Sequence, residues 1–187
     1  MKAHMTNGTW DFLEKIAHKH SQYTFFLMNS ESSTLAYYET HLQKKSVFKA
    51  GRSYEVLVST GTLEEEGFFV FDHHPLTEDG KPLVENRFKQ NPDIMVGVGG
   101  LIAFRFLRPL KGNTYVTFTQ WQSKEDYENW QASDRAKQLY AFKDVKPTAY
   151  FAAKPFSLYY SFFYPEEEEL EDDSTETDQE LREDEQV

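Results

Sequence analysis

Asp72, His73 and His74 close a strand-like run over residues 68–74 and supply the chain's adjacent proton-handling side chains. Neighbouring side chains on a pleated strand point to opposite faces, so one of the two imidazoles must face the cleft between sheet and helices. Histidine there can move a proton or bind a metal; the plainer alternative is an ordinary histidine beside an acid at a strand end. His18 and His20 sit near the end of a helical stretch beside lysines, where cations suit the helix dipole, and a metal site would need further ligands. His4 and His41 have no supporting neighbours in the sequence. Trp121 and Trp130 leave two readings open. Trp130 either packs a helix on the sheet or lines a pocket where a flat hydrophobic ligand could lie.

Several chemistries are excluded. The 187 residues contain no cysteine, which rules out disulfides, thiolate nucleophiles and cysteine-ligated metals. There is no GxGxxG, P-loop, GxSxG or HExxH pattern, so nucleotide binding and the common hydrolase mechanisms have no support. No run approaches the ~20 apolar residues of a membrane span, and the start of the chain has no apolar signal core. The expected location is therefore the cytoplasm.

The net charge of −11 is unevenly placed. Residues 166–187 hold 13 of the 31 acids and one of the 20 Lys and Arg, leaving a near-neutral body. Such a body has no general pull toward nucleic acid. Dense like charge with few apolar side chains predicts a disordered acidic tail over 166–187.

The elements that must position these residues follow from periodicity. Residues 10–17 carry a helical apolar stripe after a cap at Asn7 or Thr9. Residues 23–28 and 34–39 read as strands and 46–49 as a short one, while Tyr54, Leu57 and Val58 share a helical face and predict a helix over 51–60. A strand over 68–74 precedes a helix from Pro82 to about Gln90. Residues 101–107 alternate, with Ile102, Phe104 and Phe106 on one face; Pro109 ends that strand, and Lys111-Gly112-Asn113 makes the turn into a strand over 114–121. Ser123 with Asp126 forms a capping box for the next helix, and Ser133 caps another. Residues 156–164 are apolar on both faces, so that last strand should be covered twice. The order β-α-β-β-α-β is the ferredoxin-like split unit. Two modules are expected, residues 1–66 as a small α+β module and 67–165 as the ferredoxin-like domain. Its aromatic sheet face predicts a homodimer packed sheet to sheet.

The runs GGLIAFRFLRPLKGNTYVTFTQW, PLVENRFK and DYENWQASD, with NGTWDFLEKI, YYET, SYEVL and FFYP, resemble the antibiotic-biosynthesis-monooxygenase (ABM) superfamily over about residues 7–165. They are most similar to a branch holding both haem-degrading monooxygenases and staphylococcal-type signal transduction proteins. The resemblance implies a dimeric ferredoxin-like ABM fold in a Gram-positive cell, haem as a candidate cofactor, and peripheral membrane association through partners. Haem-degrading members use an asparagine, a tryptophan and an iron-ligating histidine. Trp130 matches the tryptophan, Tyr140 stands at the histidine position, and Asp72, or His73 one residue on, stands at the asparagine. The resemblance thus makes Trp130 and Asp72 the candidate catalytic residues, and Tyr140, His73 and Trp130 the candidate haem contacts. Tyrosinate can ligate ferric haem where a positive group lowers its pKa from about 10; Lys137 and Lys143 are one helical turn away. The regulatory members' phosphorylated histidines correspond to Gly67, Gly80 and Pro155, which cannot carry a phosphoryl group. Two functions are implied: a regulatory or stress-response protein without catalysis, able to bind a hydrophobic ligand such as haem, and a haem-degrading monooxygenase with an altered ligand set. The lost histidine and asparagine favour the first.

Overall fold

The computed structural model describes residues 1–41, 44–143 and 150–162. The first half comprises β1 (Lys2–Gly8), α1 (Trp10–Lys19), β2 (Phe25–Asn29), β3 (Thr34–Thr40) and β4 (Arg52–Thr60). The second comprises β5 (Phe68–Pro75), α2 (Gly80–Gln90), β6 (Leu101–Pro109), β7 (Thr114–Trp121), α3 (Lys124–Ala132), α4 (Asp134–Leu139), a 3-10 turn (Ala141–Lys143) and β8 (Phe156–Phe162). The acidic tail and the last residues of the expected 156–164 strand lie outside the described residues.

In the second half the strand order is β8-β5-β7-β6, all antiparallel, which is the ferredoxin-like arrangement. The first half repeats it as β4-β1-β3-β2. The last strand of each half pairs with the second strand of the other, β8 with β2 and β4 with β6, and the eight strands close into a barrel. Closure leaves neither sheet a free edge.

This closure covers the sheet face through which a homodimer is expected. Phe69, Phe71, Val116 and Phe118, the aromatic-rich inner face of the second sheet, pack inside the barrel against Met5, Met28, Leu35, Tyr37 and Tyr54 of the same chain. The apolar face that sequence reasoning assigned to a second copy is filled by the first half. Two polar devices tie the halves together. Buried Arg105 on β6 reaches Glu39 on β3 (Nε–Oε1 2.7 Å). Buried Gln120 on β7 holds the connecting segment, donating to the carbonyls of Glu64 and Glu66 and accepting from the Glu64 amide.

Three local expectations change. Residues 52–60 form β4, not a helix. Val56, Val58, Ser59 and Thr60 suit a pleated strand, and Ser53 hydrogen-bonds His4 rather than capping a helix. The β1 strand is new: Ala3 and Met5 alternate into the barrel from a run too polar to stand out. Residues 46–49 form no strand. The double cover expected for β8 is incomplete: Tyr160 is buried in the barrel, but Tyr159, stacked on Phe68, stays 46% exposed.

Candidate functional site

The outer face of the second sheet carries α2, α3 and α4, and the layer between holds the candidate residues. Ser123 Oγ accepts from the Asp126 amide (3.1 Å) and starts α3, which places Tyr127 and Trp130 toward the sheet. Ser133 Oγ accepts from the Ala136 amide (3.2 Å) and starts α4, whose C-cap is Tyr140. Arg87 on α2 donates to the carbonyls of Leu139 (3.0 Å) and Gln138 at that helix end. Tyr140 is thus fixed from both sides.

Asp72 lies on the central strand of this sheet, directly opposite Thr117 on β7 and Ser157 on β8. This register brings two hydroxyls to one carboxylate. Ser157 donates to Oδ1, Thr117 donates to Oδ2 (3.4 Å), and Tyr140 donates to the same Oδ2 (3.0 Å). Thr117 Oγ1 is also 3.1 Å from the Tyr140 hydroxyl and 3.1 Å from His74 Nε2; with its one proton directed at Asp72, it accepts from Nε2 in the tautomer that carries the hydrogen there. The result is a network of Asp72, Thr117, Tyr140, Ser157 and His74.

Aromatic rings fill the surrounding space. Trp130 packs on Trp121 at 5.2 Å and on Tyr140 at 5.7 Å between ring centroids, and Phe142 lies 5.5 Å from His74 and 6.0 Å from Tyr140. The indole N–H groups of Trp121 and Trp130 are buried without a hydrogen-bond partner among the described residues.

The two candidate strand residues separate as the pleat requires. Asp72 faces the helices; His73 faces the barrel mouth, where its ring stacks on Phe156 at 4.5 Å and its Nδ1 lies 3.1 Å from the Phe71 carbonyl. Burial lowers the His73 pKa to about 4. His73 and Tyr140 are on opposite faces of the sheet, so no single flat ligand meets both. This corrects His73 as an axial ligand. The imidazole on the Tyr140 side is His74. Thr117 and Ser157 went unnoticed because a lone hydroxyl on a strand carries no motif; only the strand register makes them partners of Asp72.

Tyrosinate ligation fares no better. Burial, and then the Asp72 charge, push the Tyr140 pKa well above the ordinary tyrosine value, opposite to what a tyrosinate ligand needs. Lys137, one of the proposed positive neighbours, instead pairs with Asp134 at 2.9 Å. The Lys143 side chain lies outside the described residues. No group of three or more His, Asp or Glu that could hold a metal ion occurs among the described residues. No helix among them is long and apolar enough to cross a membrane.

A family model described as "Antibiotic biosynthesis monooxygenase" matches residues 75–141, which include Trp130 and Tyr140 and begin just after Asp72. The protein named Signal transduction protein TRAP from Staphylococcus epidermidis is 27% identical over 169 residues, covering 90% of this chain and 99% of that protein. Its namesake from Staphylococcus aureus is 26% identical over 164 residues, covering 88% and 97%. Among solved structures, one described as a major regulator of staphylococcal pathogenesis superposes with a TM-score of 0.78 at 25% identity, covering 88% of this chain and 100% of the other. LmHde, a heme-degrading enzyme from Listeria monocytogenes, superposes with a TM-score of 0.69 at 20% identity, covering 87% and 99%, a likeness of fold alone. The chain has a ferredoxin-like fold and is similar along nearly its whole length to the proteins named TRAP.

The residues present do not fit haem. The position of the iron ligand holds a protonated phenol engaged with a carboxylate, and the nearby His74 Nε2 is engaged with Thr117. Trp130 packs on Tyr140, and Tyr140 on Phe142, ring against ring around that phenol.

Proposed function

We propose that this chain is a non-catalytic regulatory or stress-response protein, TRAP-like and built on the ABM fold, acting in the cytoplasm. The observation that carries this reading is the Asp72–Tyr140 hydrogen bond with its two supporting hydroxyls. A carboxylate can act as a general base only if a lone pair is open to a substrate proton. Three hydroxyl donors take up most of the acceptor capacity of Asp72, and the group beside it is a phenol that stays protonated at neutral pH. These contacts hold α4 on the sheet, and among the described residues none is poised to activate oxygen or a substrate. Similarity to proteins named for signal transduction supports the regulatory half of the reading.

The competing reading is a haem monooxygenase with a changed ligand set. Its support is Trp130, which keeps its place on α3 with its indole N–H unpaired among the described residues. A turnover assay separates the two. With haemin, ascorbate and O₂, the proposal expects the haem spectrum to decay at the rate seen without protein. Protein-dependent decay that is lost in Trp130→Ala would establish the monooxygenase instead.

A further inference from the structure

A cleft of about 520 Å³ opens away from this site, between the starts of β1 and β4, the segment after β3 and the β6–β7 turn. Its charge is one-sided. Lys2, Lys44, Lys45, Arg52 and Lys111 line it, and no carboxylate among the described residues does. Arg52 is drawn aside to Asn7 (Nη2–Oδ1 2.8 Å). None of the four lysines takes part in an ion pair among the described residues. Four ammonium groups gathered on one cleft raise each other's electrostatic energy unless an anion joins them.

A second observation points the same way. His4 lines this cleft, is 2% exposed, and holds Ser53 Oγ at 2.8 Å through Nδ1. Its Nε2 is buried with no hydrogen-bond partner among the described residues. A buried polar nitrogen left unpaired costs stability, and proteins seldom keep one without a use. Burial, and then Lys2, lower the His4 pKa, so the ring is neutral near pH 7. In the tautomer in which Ser53 donates to Nδ1, Nε2 carries the hydrogen and can donate to an oxyanion. Lysines as compact charges around one neutral donor suit phosphate oxygens, and the volume lies within the ~300–1,000 Å³ range of small-molecule sites.

We infer that this cleft binds a small anion carrying two or more phosphate groups, held by Lys2, Lys44, Lys45 and Lys111 with His4 as the buried donor. The site is independent of Asp72 and Tyr140, so the haem experiments do not bear on it. The chain's own acidic tail, residues 166–187, is the rival occupant by charge, but an extended peptide makes little use of a compact cleft with a buried donor.

Calorimetric titration of the full chain with inorganic pyrophosphate at low salt tests the inference. It expects saturable binding that weakens as salt rises and falls at least tenfold in the double variant Lys44→Glu, Lys111→Glu. Both lysines are exposed, so the circular dichroism spectrum and melting temperature should not change. His4→Gln should weaken binding as well. Three results would overturn it: no binding of pyrophosphate, equal affinity in the double variant, or saturation by a synthetic peptide of residues 166–187 where pyrophosphate fails.

Discussion

The Tyr140 hydroxyl donates to Asp72 Oδ2 across 3.0 Å, joining the end of α4 to the central strand 68 residues earlier. Both groups are where the ABM resemblance would look for chemistry. Their contact satisfies one with the other. The proton stays on the phenol, and the bond docks a helix on the sheet.

Tyr140→Phe keeps the ring and removes the donor, leaving Asp72 with Thr117 and Ser157. Losing one partner of a buried carboxylate should cost about 1–3 kcal/mol. Urea unfolding followed by tryptophan fluorescence reads this as a lower midpoint. A midpoint equal to that of the unmodified chain would mean that the bond is incidental.

His73 predicts a pH dependence. Its pKa in the fold is about 4 against 6.5 in an ordinary setting, chiefly through burial. As pH falls, the unfolded chain takes up the proton first. The stability tied to the neutral ring is therefore fully present above about pH 6.5 and is lost as pH drops from 6.5 toward 4, by roughly 3 kcal/mol at most. The smaller lowering at His4 acts in the same direction. Unfolding free energies measured across this window should slope less steeply in His73→Gln.

The Arg105–Glu39 pair spans the barrel from one half to the other, and Glu39 also accepts from the Tyr37 hydroxyl at 2.7 Å. Arg105→Met strands this carboxylate and should cost about 3–5 kcal/mol. Adding Glu39→Gln should restore part of the loss, so the double variant will be less than additive. Additive losses would show that the two groups act separately.

Gly67 and Gly80 stand at positions where the resemblance places phosphorylated histidines. A Cβ on Gly67, whose φ is +91°, would lie 2.2 Å from the Trp121 carbonyl oxygen, and one on Gly80 2.5 Å from that of Tyr150. Both contacts are with backbone. Gly67→His and Gly80→His should each destabilise the fold by at least ~2 kcal/mol rather than create a phosphate acceptor. Near-normal melting temperatures for both variants would contradict this.

The ferredoxin-like half was legible because its signals are local. Alternation at Phe104 and Phe106, the turn at Lys111-Gly112-Asn113 and the caps at Ser123 and Ser133 each act within a few residues. The first half was legible only at α1, β2 and β3; β1 and β4 were not, because those strands draw on distant partners. Val56 and Val58 become a strand by joining β1 and β6, and Ala3 and Met5 gain their meaning only inside the barrel. That the aromatic sheet face is covered by the same chain is a fact of closure that periodicity does not encode. At the site, Trp130 packs on Tyr140 and Tyr140 bonds Asp72, while His73 turns to the other face. One residue of phase on β5 decides between Asp72 and His73, and the sequence left that phase open.

The central claim is that the Asp72–Tyr140 contact and the rings around it leave no seat for haem. Titration of the purified full chain with haemin, followed through the Soret region, tests it directly. The account predicts no shifted Soret band and no saturation at micromolar haemin. A shifted band saturating near one haem per chain, and lost in both Tyr140→Phe and Trp130→Ala, would contradict it.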